Sequence, residues 1–367
     1  MRTRQLGMSL IEIMVAVAIG LIGILIITQA YLTSENFNRS TLGEGGAQTN
    51  GLIALYTIER DVRNGGYGIA DSVALGCGEM AWYYDGTYSP NAGGTLPPVR
   101  VAPVYITVDA TLPLTDPDQI SIMAGGDPER MVPGSIKTFT SATNLIDLET
   151  SAGFAIGDLV VLANGTGCTM VQITNVQLPP SQKIEANPGT FNPAAWGAFP
   201  VSNYAIGEPI FNLGSAPTLR TYSVSNGKLR VADAIAVAAG GSAVELMDGI
   251  VDLRGQYGKD NGINNGTVAS ATFVSNDGQV DQFSSAAPAN SAEWQQVVSV
   301  RIGVLARIGT YEKPDSSGNC TTTTVAPTWA GGTFTAVSVA SGSEDRCYRY
   351  RVFETTIPLR NMIWRAT

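Results

Sequence analysis

Residues 7–34 read GMSLIEIMVAVAIGLIGILIITQAYLTS, and the fold of the chain turns on how that stretch is understood. From Ile13 to Ser34 there are 22 residues without a charge, enough for one helix to cross a bilayer. A short basic leader, MRTRQLG, stands before the stretch and ends in Gly7. A secretory signal carries its small-residue cleavage site after the apolar core, so a cut after Gly7 leaves the hydrophobic helix on the mature chain. Glu12 is a lone carboxylate at the edge of the run. An ionised carboxylate in hydrocarbon costs about 2.5–3.5 kcal/mol and calls for a partner. Cleavage after Gly7 supplies one by freeing the amino group of Met8, four residues before Glu12. Between neighbouring subunits of a filament, that amine and carboxylate would pair and set the axial stagger. The plainer reading is a signal anchor whose Glu12 rests at the membrane interface.

Beyond the span, residues 35–64 contain no proline and continue the helix, with Leu52, Leu55, Ile58 and Val62 at helical spacing as the face that packs on a head. Glu59, Arg60, Asp61 and Arg63 are expected to point to water or to edges. Gly43, Gly45 and Gly46 form a weak spot where bending or local melting is expected, since each glycine costs about 1 kcal/mol against alanine in a helix interior. Gly65, Gly66 and Gly68, around Tyr67, end the helix. The chain thus divides into a leader over 1–7, a long helix over 8–66 with residues 13–34 as its membrane-spanning part, and a head over 67–367.

In the head the period changes from helical to alternating. Strands are expected at Val104–Val108, Gln119–Met123, Asp158–Leu162, Val171–Thr174, Val297–Arg307 and Tyr348–Leu359, with a hairpin from Leu219–Val224 to Lys228–Val231 across Ser225-Asn226-Gly227. Asn261–Gln282 and Ser284–Ala292 read as exposed loops. With 41 glycines and 19 prolines, the head is rich in turns and short strands, and the fold class is α+β: one long helix on a large β-rich head.

Composition narrows the function. The net charge of −9 repels phosphate backbones and no basic patch offsets it, so nucleic acid is a poor partner. The chain has no histidine, which removes Ser-His-Asp and Cys-His nucleophiles, the usual zinc-water hydrolases and histidine bases. No cofactor or metal is expected. Asp260 to Gly266 offers oxygens, but it lacks EF-hand spacing and reads as a plain Asn/Gly-rich loop. Trp82, Tyr83 and Tyr84 read as core, with a partner surface as the alternative. The four cysteines, Cys77, Cys168, Cys320 and Cys347, show no CxxC spacing and read as two disulfides in an oxidising compartment. Of the three connectivities, Cys77–Cys168 with Cys320–Cys347 is favoured because the second pair closes a short loop.

The run Gly7-Met8-Ser9-Leu10-Ile11-Glu12-Ile13-Met14-Val15 resembles the prepilin processing motif of type IV pilins and type II secretion pseudopilins, with Met8 where phenylalanine is usual. The resemblance implies a type IV pilin-like fold, cleavage by prepilin peptidase after Gly7, methylation of Met8 and an assembly role for Glu12. Further stretches resemble the PilW family of large minor pilins: Leu55–Gly68, Ile156–Val161, Asp248–Gly258, Trp294 followed by Val297–Ile302, and Arg351–Asn361. That family implies a minor pilin that primes a type IV pilus and sits at or near its tip. Its partners would be other minor pilins and the major pilin through the helix, and a large tip adhesin. Its head would lie in the periplasm while the helix is held in the inner membrane, and outside the cell once assembled. Small residues at Ala16, Ala18, Gly20 and Gly23 suit close helix packing, or are ordinary membrane-helix composition. Two alternatives stay open: a J-type minor pseudopilin of type II secretion, and a membrane-tethered hydrolase with paired carboxylates such as Asp158 and a distant partner.

Overall fold

A computed structural model describes residues 10–69, 71–75, 77–107, 116–126, 132–200, 203–264, 267–268 and 277–363. Helix α1 (Leu10–Asn64) runs unbroken for 55 residues, roughly 80 Å at 1.5 Å per residue. It stops where Gly66 and Gly68 take φ of 81° and 79°, a region that side chains with a Cβ rarely enter.

Among the described residues the head holds three sheets of four or more strands, built almost in chain order, beside three two-stranded pairs. Strands β1 (Val104–Thr107) and β2 (Gln119–Ala124) open a five-stranded sheet. The chain then leaves it for a seven-stranded sheet of β3 (Gly134–Thr140), β4 (Leu145–Leu148), β5 (Leu159–Ala163), β6 (Cys168–Gln172), β7 (Asn175–Gln177), β8 (Lys183–Glu185) and β9 (Pro209–Gly214). It returns with β10 (Thr218–Ser225), β11 (Lys228–Asp233) and β12 (Val244–Asp248), and finishes in a four-stranded sheet of β13 (Ile250–Lys259), β14 (Gln282–Ser284), β15 (Val297–Arg307) and β16 (Tyr350–Pro358). The strand orders are β12-β11-β10-β2-β1, β6-β5-β9-β3-β4-β8-β7 and β14-β13-β15-β16. Every named pair in these sheets is antiparallel.

The seven-stranded unit is therefore an insertion between β2 and β10, which are direct neighbours in the five-stranded sheet. Its end strands β6 and β7 are consecutive in the chain, separated only by Ile173 and Thr174. One pairs with β5 and the other with β8, so the sheet curls back on itself around Ile136, Ile146, Val160, Leu162, Val171, Ile184, Trp196 and Ile210. Two matching turns feed it. Asp158 accepts the N–H of Ala155 at 2.9 Å and Glu208 that of Ala205 at 2.7 Å, with Gly157 and Gly207 at positive φ in between.

Helix α1 lies on the four-stranded sheet through Ala47, Ala54, Leu55, Ile58 and Val62, which share a core with Val300, Ile302, Val304 and Ile357. Two expectations are corrected here. Leu52 is 51 % exposed, because Gly51 takes the inward position against the Phe353 ring. The helix does not melt at its glycines: Gly43, Gly45 and Gly46 all lie within it. A Cβ on Gly43 would stand 2.7 Å from Thr310 Oγ1, so Gly43, like Gly51, lets the helix seat closely, and the packing offsets the cost in propensity.

The expected strands are found within one or two residues of their predicted ends, and Val297–Arg307 matches at both, except that the strand expected at Val171–Thr174 runs from Cys168 to Gln172 and so starts three residues earlier. Val108 lies outside the described residues. In the β10–β11 hairpin Ser225 pairs with Lys228, and Asn226 and Gly227 take φ of 53° and 70°, the backbone that a two-residue turn of this hand requires. The stretch Ser284–Ala292 is less irregular than expected, since a helical turn starts at Ser291 under an Asn290 cap. In Asn261–Gln282, residues 265–266 and 269–276 lie outside the described residues, and Ile263–Asn264 pairs with Thr267–Val268.

Candidate functional site

Leu10 to Glu35 makes 26 residues apolar and long enough to cross a membrane, and no part of that span is covered by the head. Leu10, Ile11, Ile13, Met14 and Val15 surround Glu12 in the first turns, all exposed. Two threonine hydroxyls of the span are satisfied by the helix's own backbone. Thr28 and Thr33 hydroxyls donate to the carbonyls of Ile24 and Gln29 at 2.8 and 2.9 Å, which lowers the cost of an apolar surrounding. A Cβ at Gly20 or Gly23 would meet nothing within 4 Å, so neither glycine serves the fold of this chain. Gly7 and Met8 lie outside the described residues.

The other end of α1 is fastened by Asp61, a charge expected at the surface. Asp61 is buried, and its carboxylate accepts from Arg220 Nη1 at 2.9 Å and from the Tyr222 hydroxyl at 2.7 Å, both on β10. Burial and then the Asp61 acceptor push the Tyr222 phenol above its ordinary range, while the Asp61 hydrogen bond holds Arg220 above its own. A usable signal existed: Ala54, Ile58 and Asp61 fall at i, i+4 and i+7, on the stripe that packs. Asp61→Ala is expected to cost about 2 kcal/mol, because the buried Tyr222 hydroxyl loses its acceptor and half-exposed Arg220 its counter-ion. Chemical denaturation of the full chain in detergent measures it, and a Tyr222→Phe background should reduce the loss, since one of the donors to Asp61 is then already gone.

A second buried cluster joins the five- and four-stranded sheets. Asp118, beside β2, accepts from Gly255 N at 3.0 Å and Arg254 Nη1 at 3.3 Å. Asp252 accepts from Leu253 N at 2.8 Å and Arg254 Nη2 at 3.2 Å, and Arg254 also donates to Thr335 Oγ1 at 2.8 Å. Burial, opposed by Arg254, lifts the Asp252 carboxyl to about 6, and burial likewise raises Asp118. These are the paired buried carboxylates that a hydrolase reading asks for, but Arg254 stands between them and backbone amides take up their oxygens, which is a clamp. Asp158, the residue singled out for that reading, is buried and takes the Ala155 N–H and Asn212 Nδ2 at 2.9 and 2.8 Å, as a turn residue does.

Trp82 is fully buried and Tyr83 and Tyr84 half-buried at the edge of the cores. Asp260 is buried and accepts the Gly278 N–H at 2.7 Å, while Asp281 accepts those of Asn261 and Gly262, so both carboxylates serve their own loop. Asn265 and Gly266 lie outside the described residues. Disulfides join Cys77 to Cys168 and Cys320 to Cys347.

A long helix, bare and apolar over its first half and seated on a β-rich head over its second, is the type IV pilin-like fold. Residues 2–28 match the model of the prokaryotic N-terminal methylation motif, and residues 211–361 match that of type IV pilus-assembly protein W. The chain is PilW-like in the part of the head that seats α1 and prepilin-like at its amino terminus. Most of the inserted seven-stranded unit lies outside both matched spans. No curated protein and no solved structure matches the chain. Both matched models describe pilus or prepilin proteins rather than enzymes, and they imply contact with other pilus components and with prepilin peptidase, and membrane anchoring before assembly.

Proposed function

We propose that this chain is a minor pilin that primes a type IV pilus and remains at or near its tip. After cleavage behind Gly7 and methylation of Met8, the inner membrane holds the helix with the head in the periplasm. Glu12 then pairs with the terminal amine of a neighbouring minor or major pilin as the helix enters the filament, and the head ends outside the cell. The observation that carries this reading is the apolar, uncovered span Leu10–Glu35 with one carboxylate in its first turn, on a chain whose head matches the type IV pilus-assembly protein W model. The head over 67–367, about 300 residues, favours a terminal place, because so large a body would crowd every position of a helical lattice. A tip place would also set the inserted seven-stranded unit toward a tip adhesin. The reading assigns no catalytic role, since the buried carboxylates are clamped on Arg254 and in turns. Mass spectrometry of sheared pili tests it: N-methyl-Met8 should be found, at an abundance far below that of the main subunit. Equal abundance removes the minor-pilin assignment, and twitching retained with secretion lost in a deletion strain moves the chain to the J-type pseudopilin class.

A further inference from the structure

Strand β16 (Tyr350–Pro358) closes one side of the four-stranded sheet, and its outer edge is bare. Leu359 N donates to Val298 O and Ile308 N to Arg349 O, both at 2.8 Å, and the register with β15 has no bulge from Ser299–Pro358 to Arg307–Tyr350. Alternate residues of an antiparallel strand direct both amide groups to the same neighbour. Arg351, Phe353, Thr355 and Ile357 therefore face β15, while Tyr350, Val352, Glu354 and Thr356 turn their N–H and C=O groups outward. Among the described residues, no backbone hydrogen bond reaches those outward groups.

Edge strands are ordinarily shortened, bulged, capped or guarded by charge, because a bare edge recruits another strand. The other edges of the helix-bearing part show such devices. Strand β14 has three residues, the β11–β12 pairing carries a bulge, and on β1 the Ile106 N–H is capped by the Tyr257 hydroxyl at 2.6 Å. On β16 the two charges are engaged within the chain: Arg351 pairs with Glu44 of α1, and Glu354 accepts the Ala330 N–H at 2.7 Å.

The edge also has an apolar shelf. Asn50 of α1 donates to Asp248 O on β12, and Gly51 sits against Phe353 on β16. One more step of about 100° around the helix carries Leu52 past β16 to the side of its free edge, where it is 51 % exposed. Below it on α1, Phe37 is exposed too and leads into the bare span Leu10–Glu35.

We propose that the β16 edge takes up an extended strand from a second filament protein, one that lies alongside α1 by a helix of its own. The added strand pairs with the outward groups of Tyr350 to Thr356 and sets apolar side chains under Leu52. The proposal rests on the pilin reading above, since that reading is what brings a neighbour along the same flank of α1.

The test uses the full chain in pilus-forming cells, with the photo-reactive residue p-benzoyl-phenylalanine in place of Glu354 or, separately, of exposed Thr356. Both probes should capture one stretch of one protein that carries its own prepilin-type helix, at residues two apart, the period of a paired strand. The same probe at Gln282 on β14 should not capture that stretch. Thr356→Pro removes an outward N–H and none directed to β15, so the amount of membrane-held chain should be unchanged while its amount in sheared pili falls by about tenfold or more, equivalent to about 1.4 kcal/mol. If that variant fails to accumulate, the two capture sites decide alone. Captured residues out of strand step, a second copy of this chain, a protein without such a helix, or Thr356→Pro entering pili at the parent level each overturn the proposal. Glu12→Ala separates the layers: if it is shut out of pili while Thr356→Pro enters, only the strand proposal falls, and if it enters freely, the pilin reading falls with it.

Discussion

Glu12→Ala leaves the chain in the membrane and removes it from sheared pili, by about a hundredfold if the lost pair is worth the roughly 2.5–3.5 kcal/mol that a carboxylate costs in hydrocarbon. The direction of the two effects separates this role from a mere anchor. Alanine is easier than glutamate to place in a bilayer, so a chain that uses Glu12 only at the interface would insert at least as well and behave alike thereafter. A chain that uses it to meet a neighbour's terminal amine would insert as well and then fail to assemble. Gly7→Ala should produce the same exclusion by withholding the other half of the pair, because without cleavage the amine of Met8 never forms. Acting on one interaction, the two substitutions together should be no worse than either alone. Quantifying each variant in membranes and in sheared pili by immunoblot, with the leader's presence read by mass spectrometry, checks all three statements. Additive losses, or pili containing either variant at the parent level, would defeat the pairing.

The division into a bare apolar half-helix and a β-rich head was legible because it rests on runs and periods: the uncharged stretch Ile13–Ser34, the alternation of Val297–Arg307, and the Asn226-Gly227 turn whose backbone only a few residue types adopt readily. What a helix face meets was less legible. Leu52 and Gly51 differ by one position, and hydrophobicity chose the leucine, whereas the ring of Phe353 leaves room only for the glycine. Asp61 was assigned to water because charge usually is, and its partners Arg220 and Tyr222 stand some 160 residues away, at separations of 159 and 161. The curl of the seven-stranded unit depends on β6 and β7 being one bent run that pairs on both sides, a property of long-range register that local alternation does not encode.

That inserted unit sets the last and largest stability effect. It hangs between β2 and β10, so only two chain connections tie it to the part of the head that seats α1, and the Cys77–Cys168 bond adds a third. The bond spans 91 residues against 27 for Cys320–Cys347. In the chain-entropy account, restraint of the unfolded chain grows with the logarithm of the loop. Removing the first bond should then cost about 4.6 kcal/mol and removing the second about 3.6 kcal/mol. Against a total stability of about 5–15 kcal/mol, the Cys77→Ser/Cys168→Ser pair should leave a chain that is marginal at growth temperature. Serine at either site is also buried, since Cys168 and Cys77 stand in the core with Leu96, Val101, Met170 and Phe211, so polar burial adds to the loss. Denaturant midpoints of the two double variants, in detergent and under non-reducing conditions, give the order. A smaller loss for the 77–168 pair than for 320–347 would mean that local packing around each bond, rather than the length of chain it closes, governs how the head is held together.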